Sequence, residues 1–116
     1  MRAVNYRLNV KAGDTWNDFS LTWNDANGDP VDLTGYTAQL QVRATNTPTG
    51  TSILLITSAA GQLVIDALNG TITTLVSATD MTIAAGRYFY DLEVQVGSVK
   101  TTLIQGEFWV HPQITT

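Results

Sequence analysis

Apolar and polar side chains alternate over several stretches of this chain, most clearly across residues 86–96. There Tyr88, Tyr90, Leu92, Val94 and Val96 take every second position, with Arg87, Asp91, Glu93 and Gln95 among the others. That is the two-residue period of a strand with one buried face. Gly97 and Ser98 supply a turn, and in the return run Ile104, Gly106, Phe108 and Val110 again hold one parity, so residues 86–110 are predicted to form a hairpin. A three-residue connection at 97–99 sets Tyr88 opposite Phe108 and Tyr90 over Gly106, a ring across a glycine being one way to pin register. A two-residue turn with a bulge at Gly106 gives a similar core face.

The same period predicts further strands. Val4, Tyr6, Leu8 and Val10 alternate ahead of a turn at Gly13 and Asp14, and Phe19, Leu21 and Trp23 alternate behind Trp16. Residues 24–30 combine Asn24, Asp25, Asn27, Gly28, Asp29 and Pro30 and form the densest turn signal in the chain; a second bend is expected at 32–35. Tyr36, Ala38, Leu40 and Val42 give another clear strand. Residues 44–51, with Asn46, Pro48 and Gly50, read as an exposed, mobile loop. Residues 53–57 are apolar enough for a buried strand. Residues 62–66 and 71–76 flank Asn69-Gly70 and are expected to pair through a type I′ turn. Only residues 77–86 carry helix signals, with capping side chains, one tolerant turn and a closing Gly86.

About eight short strands and one short helical turn, with turn signals every 8 to 15 residues, predict an all-β, antiparallel, immunoglobulin-like β-sandwich. A closed barrel is the alternative. The shared core is expected to hold Phe19, Trp23, Tyr36, Leu40, Tyr90, Leu92 and Phe108. At 116 residues the chain fits one domain spanning 1–116.

Composition narrows the functional classes. Hydrophobic residues make up 44% and charged residues only 14%, which suggests surface shared with partner chains. A net charge of −4 with six scattered basic residues argues against a nucleic-acid partner, because neutralising phosphates needs clustered Lys and Arg. No cysteine is present, so neither a disulfide framework nor thiolate metal ligation is available. Neither a signal-peptide pattern nor an apolar run long enough to span a membrane is seen, and folding in the cytoplasm is expected.

Candidate chemistry is sparse. His111, the single histidine, cannot complete a histidine triad or a multi-histidine metal site within this chain, and reads as a rim or interface residue. Glu93 and Glu107 fall roughly 13 Å apart along the hairpin, beyond the spacing of a glycosidase pair. Asp25, Asn27 and Asp29 imitate the start of a calcium loop, but Pro30 stands where glycine is needed and no Glu follows at the right spacing. An Asx-rich turn is the better reading. Arg43 and Asp91 are candidates for a structural ion pair. Trp16, Trp23 and Trp109 could form a sugar platform, yet at least two of them are assigned to the core or a subunit interface. No catalytic residue, cofactor site or metal site is expected.

One resemblance goes further. Gly13-Asp14-Thr15, the alternating Phe19, Leu21 and Trp23, the run from Asn24 through Asp32-Leu33-Thr34-Gly35-Tyr36, Gln41-Val42-Arg43, and Gly86-Arg87-Tyr88-Phe89-Tyr90-Asp91-Leu92-Glu93 together resemble the small β-sandwich virion proteins of tailed bacteriophages. They include the N-terminal domain of siphophage baseplate upper proteins. The likeness extends over about residues 13–110. It implies a non-enzymatic virion structural protein, a tail or baseplate component or adaptor, assembled in the host cytoplasm and homo-oligomeric in the particle. Its partners would be other proteins of tail, baseplate or head, with no nucleic acid and no membrane. The longer members carry further modules, so a copy of this length is expected to act as an adaptor, decoration or small baseplate part. A head decoration (capsid cement) protein and a carbohydrate-binding module are the alternatives. The expected contact residues are Asn24, Asp25, Asn27, Asp29, Asn46, Pro48, Trp109 and His111, with the termini, 1–5 and 113–116, beside them.

Overall fold

In the computed structural model, which describes residues 4–47 and 49–112, the long C-terminal hairpin is the spine. Its strands are β8 (Gly86–Val96) and β9 (Val99–His111). Ahead of them come β1 (Val4–Asn5), β2 (Leu8–Lys11), β3 (Ser20–Thr22), β4 (Thr37–Arg43), β5 (Ser52–Thr57), β6 (Leu63–Asp66) and β7 (Thr71–Thr74). Two sheets result. The larger runs β1/β2, β9, β8, β4, β5, and the smaller β3, β7, β6. Since β1 and β2 share the lane beside β9, the nine strands fill eight lanes, an all-β fold compatible with a β-sandwich.

Hairpin pairing follows the expected contacts through the two-residue turn given as the alternative, with its bulge away from Gly106. Tyr88 lies opposite Phe108 and Tyr90 opposite Gly106. The connection is the two-residue Gly97-Ser98, because Val96 pairs with Val99, and the compensating extra residue is Leu103, between Ile104 opposite Leu92 and Thr102 opposite Glu93. A bulge of this kind absorbs one residue and keeps both core faces aligned. Leu103 is itself buried.

Pairing is antiparallel except along β9, where β1 and β2 run parallel to it with Val4 opposite Ile104 and Leu8 opposite Phe108. The lane breaks at Tyr6 and Arg7, where the Tyr6 amide still donates to the Gln105 carbonyl at 2.9 Å.

Three local expectations are corrected. Residues 77–86 form no helix: Met81 N bonds Ser77 O and Ala78 O at 3.2 Å, a single turn that stops because Met81 and Ile83 are both buried in the core. One turn fixes several dihedrals for one hydrogen bond and does not propagate unaided. The β6–β7 loop contains four residues, since Asp66 pairs with Thr71, and Gly70 alone carries a positive φ there, at 61°. A type I′ turn needs two such residues. Finally, β5 is an edge strand in which Ile56 is buried and Leu55 is 47% exposed.

Between the sheets, Leu40, Val42, Ile56, Ile72, Val76, Met81, Leu92 and Phe108 are fully buried. Burying an aliphatic or phenyl side chain of this size contributes roughly 1.5–3 kcal/mol. Of the expected core, Leu40, Tyr90, Leu92 and Phe108 are buried, while Phe19, Trp23 and Tyr36 pack partly buried against them. Trp16 closes the gap between the layers. Its ring meets Phe108 edge-on at 5.5 Å and stacks near Phe19 at 6.1 Å, and its backbone bridges Val76.

Candidate functional site

The outer face of the larger sheet is the most elaborated surface among the described residues. Alternation along β8 and β9 turns Arg87, Phe89, Glu107 and Trp109 away from the core. The hairpin register then sets Arg87 opposite Trp109 and Phe89 opposite Glu107. β2 adds Asn9 beside Trp109 and Lys11 beside His111. Arg7 reaches in from the break between β1 and β2.

Glu107 is the hub. Its Oε1 accepts from the Trp109 indole Nε1 at 3.0 Å and lies 3.1 Å from an Arg7 Nη2, while its Oε2 lies 3.4 Å from Arg87 Nη1. The Arg7 guanidinium sits 5.1 Å from the Trp109 ring centre and that of Arg87 5.4 Å from Phe89. The Trp109 hydrogen bond foremost, with Arg7 and Arg87 behind it, holds the Glu107 carboxyl below its usual range. Exposed ion pairs add little to stability, and Arg7 and Arg87 are 59% and 54% exposed, so the network gathers two arginines and two rings around one carboxylate without anchoring them rigidly. His111 continues the row, its Nε2 3.0 Å from Asn9 Oδ1.

Across the same face, Arg43 donates to Gly50 O at 2.8 Å and to Gln41 Oε1 at 3.0 Å, making its hydrogen bonds there rather than to Asp91. Desolvation against the sheet pushes Asp91 up, with Arg43 pulling the other way. Glu93 and Glu107 stand at separate places along the hairpin, opposite Thr102 and Phe89.

Charge is divided between the two sides. Arg7, Lys11, Arg43, Arg87 and Lys100 occupy outward positions of the larger sheet with Asp91, Glu93 and Glu107, five basic against three acidic side chains. The seven aspartates from Asp14 to Asp80 lie on loops and the smaller sheet.

Trp109 and His111, expected as contact residues, therefore share one row. Asn24, Asp25, Asn27 and Asp29 do not join them, because their loop precedes β4, whose first residue Thr37 pairs with Gln95 near the hairpin tip. There Asp25 Oδ1 accepts from the amides of Asn27 at 2.9 Å and Asp29 at 3.1 Å, and the Asp25 amide donates to Asp29 O at 2.8 Å. The carboxylate thus closes its own turn. Asn46 is exposed on the β4–β5 loop, and Pro48 lies outside the described residues, as do 1–3 and 113–116 of the termini.

Arg7, Arg87 and Glu107, which the structure gathers beside Trp109, are absent from the set expected from sequence. The signal was present in the hairpin register, which puts Arg87 and Glu107 in adjacent rows, but Arg7 joins only through the parallel pairing of β2.

Shallow depressions elsewhere on the surface include two. One, about 710 Å³, lies on the smaller sheet over Val64, Asp66, Thr71, Thr73 and Leu75; the other, about 240 Å³, lies over Gln39, Thr57, Ser58 and Glu93. Each gathers a single carboxylate. No three His, Asp or Glu side chains converge among the described residues. No known protein-family model matches the chain, and no curated protein is significantly similar to it.

Proposed function

We propose that this chain is a bacteriophage virion structural protein, a tail or baseplate component that acts by docking onto other virion proteins. The observation that carries this reading is the arginine and aromatic cluster on the outer face of the larger sheet. Glu107 there gathers Arg7, Arg87 and Trp109 around one carboxylate, a basic and aromatic cluster that stands out against an otherwise acidic molecule. Protein–protein interfaces are enriched in arginine and aromatic side chains relative to the rest of the surface. The resemblance of the 13–110 stretch to small phage β-sandwich proteins supplies the class of partner.

A head decoration protein uses the same physics at a different place in the particle. Carbohydrate binding is disfavoured by the guanidinium groups over Trp109 and Phe89, which occupy ring faces a sugar would stack on. The test is particle assembly with an Arg7→Glu/Arg87→Glu chain against an Asp80→Asn control on the other side. Docking through this face predicts incorporation lowered by about tenfold or more, the equivalent of roughly 1.4 kcal/mol of binding. Undiminished incorporation of a folded double variant contradicts it.

A further inference from the structure

Basic side chains are segregated along this chain. Between Lys11 and Arg43, and again between Arg43 and Arg87, there is no Lys, Arg or His, but there are seven aspartates. Strands β3, β6 and β7 and the loops that join them lie entirely within those stretches. The charges on the smaller-sheet side are therefore all negative.

Two patches of opposite character follow. At the Gly86 end of the hairpin, the outer face of the larger sheet carries Arg43, Phe89 and Glu107 in one row and Arg87, Trp109 and Asn9 in the next. Lys11 lies beyond them beside His111, and Arg7 sits over the Trp109 ring. Four cations thus surround two rings, with Glu107 among them and Asp91 one row nearer the hairpin tip. The second patch is on the other layer. Trp23 N donates to Gly70 O at 2.8 Å and Leu33 N to Ala67 O at 2.9 Å, which ties the 24–30 loop and the 32–35 bend to the β6–β7 loop. Asp25, Asp29, Asp32 and Asp66 are brought together there, all exposed, and Leu68 in the same β6–β7 loop is 77% exposed. Trp23 packs edge-on against Tyr36 at 6.0 Å, next to Thr37, which pairs with Gln95 near the hairpin tip. The acidic patch therefore lies at the end of the molecule away from Arg87 and Trp109.

We propose that the basic and aromatic face of one copy of this chain docks head to tail on the acidic end of the smaller sheet of a second copy. Each patch supplies what the other lacks: cations around two rings on one, carboxylates with an exposed leucine on the other. Opposite charges then meet at the rim and apolar atoms at the centre, where interfaces are depleted of charge. Complementary charge of this kind steers encounter and fixes register. Because the patches lie on opposite layers and at opposite ends, one two-fold contact cannot engage both pairs. Each copy keeps a patch free for a further copy, and the product is a ring or an open chain. Repulsion between copies of net charge −4 is screened beyond about 10 Å at 0.1 M salt, whereas the contact itself is shorter-ranged. Naming a second copy as the occupant of that face rests on the docking reading above; the contact is tested apart from particles.

Sedimentation of the full chain over a concentration series, at about 0.02 M and about 0.5 M salt, tests it together with NMR of the same samples. At low salt the expected species exceed twice the 12.6 kDa chain mass, and high salt weakens association by about tenfold or more. The Trp109 indole and the Arg87, Asp29 and Leu68 amides should shift together as concentration rises. Arg7→Glu/Arg87→Glu and Asp29→Lys/Asp66→Lys chains should each stay monomeric alone and associate when mixed, because the reversed charges match again. A wild-type chain that stays monomeric to on the order of 1 mM, association that stops at a dimer, or shifts at only one of the two patches overturns the contact. So does a mixture of the two folded variants that stays monomeric. The wild-type resonances need no variant, so a misfolded variant leaves the test intact. A chain that does not self-associate but still enters particles removes this contact alone, whereas an assembly excluded from particles removes the docking reading alone.

Discussion

The Tyr90 hydroxyl donates a 2.8 Å hydrogen bond to the Tyr6 carbonyl across a separation of 84 residues, and Gly106 lies between them. Gly106 has φ of 152°, and a Cβ there would collide with the Tyr6 backbone. The N-terminal lane can lie this close beside β9 only because that side chain is missing. Gly106→Ala is therefore expected to cost more than about 2 kcal/mol, combining backbone strain with displacement of Tyr6. Thermal unfolding should show a fall of roughly 10 °C. Gly97→Ala is the control, because Gly97 also has a positive φ, 57°, but open space around it. Equal losses for the two would show that close approach is not what selects glycine at 106.

Tyr90→Phe removes that hydrogen bond and should cost about 1 kcal/mol at neutral pH. Burial foremost, with Tyr6 nearby, raises the Tyr90 hydroxyl well above its ordinary 10.0. The folded chain thus keeps a proton that the unfolded chain releases above pH 10. Tyr90's contribution is complete below that pH and is lost as pH rises beyond it. Denaturant titrations across pH 8–12 should show the wild-type advantage over Tyr90→Phe shrinking above pH 10. Parallel curves would contradict this.

Trp109→Phe keeps a ring beneath Arg7 but removes the indole donor to Glu107. As that donor is the leading influence holding Glu107 down, its carboxyl should titrate closer to the ordinary 4.5, readable from carbon chemical shifts. The sign for stability follows: Glu107 contributes above pH 4.5, and the contribution fades as pH falls through the lowered folded value. The variant should lose less of its stability on acidification. An unmoved midpoint would mean that the arginines alone set it.

Much of the fold was legible because alternation is a local signal. β4, β8 and β9 follow from the parity of Leu40, Val42, Tyr90, Leu92 and Phe108, and the hairpin register from Tyr90 over Gly106. The bulge at Leu103 was hidden, because Leu103 and Ile104 are both apolar and either could face the core. Residues 53–57 read as a buried strand because an aliphatic run looks the same at an edge as in a centre. The one-turn segment 77–86 satisfied every capping rule, but burial of Met81 and Ile83 decided its course. Of the candidate site, Trp109 and His111 were visible as residues near a strand end. Their setting was not, since Arg7 meets Glu107 only through a parallel pairing that no short window of sequence contains.

Mass spectrometry of purified tailed-phage particles made from a genome that encodes this chain is the most direct measurement. A docking component is expected in intact particles at a fixed, multiple-copy ratio to the tail proteins, retained through density-gradient purification. Particles complete and infectious without the chain, with all of it left in the soluble lysate, would contradict a virion role.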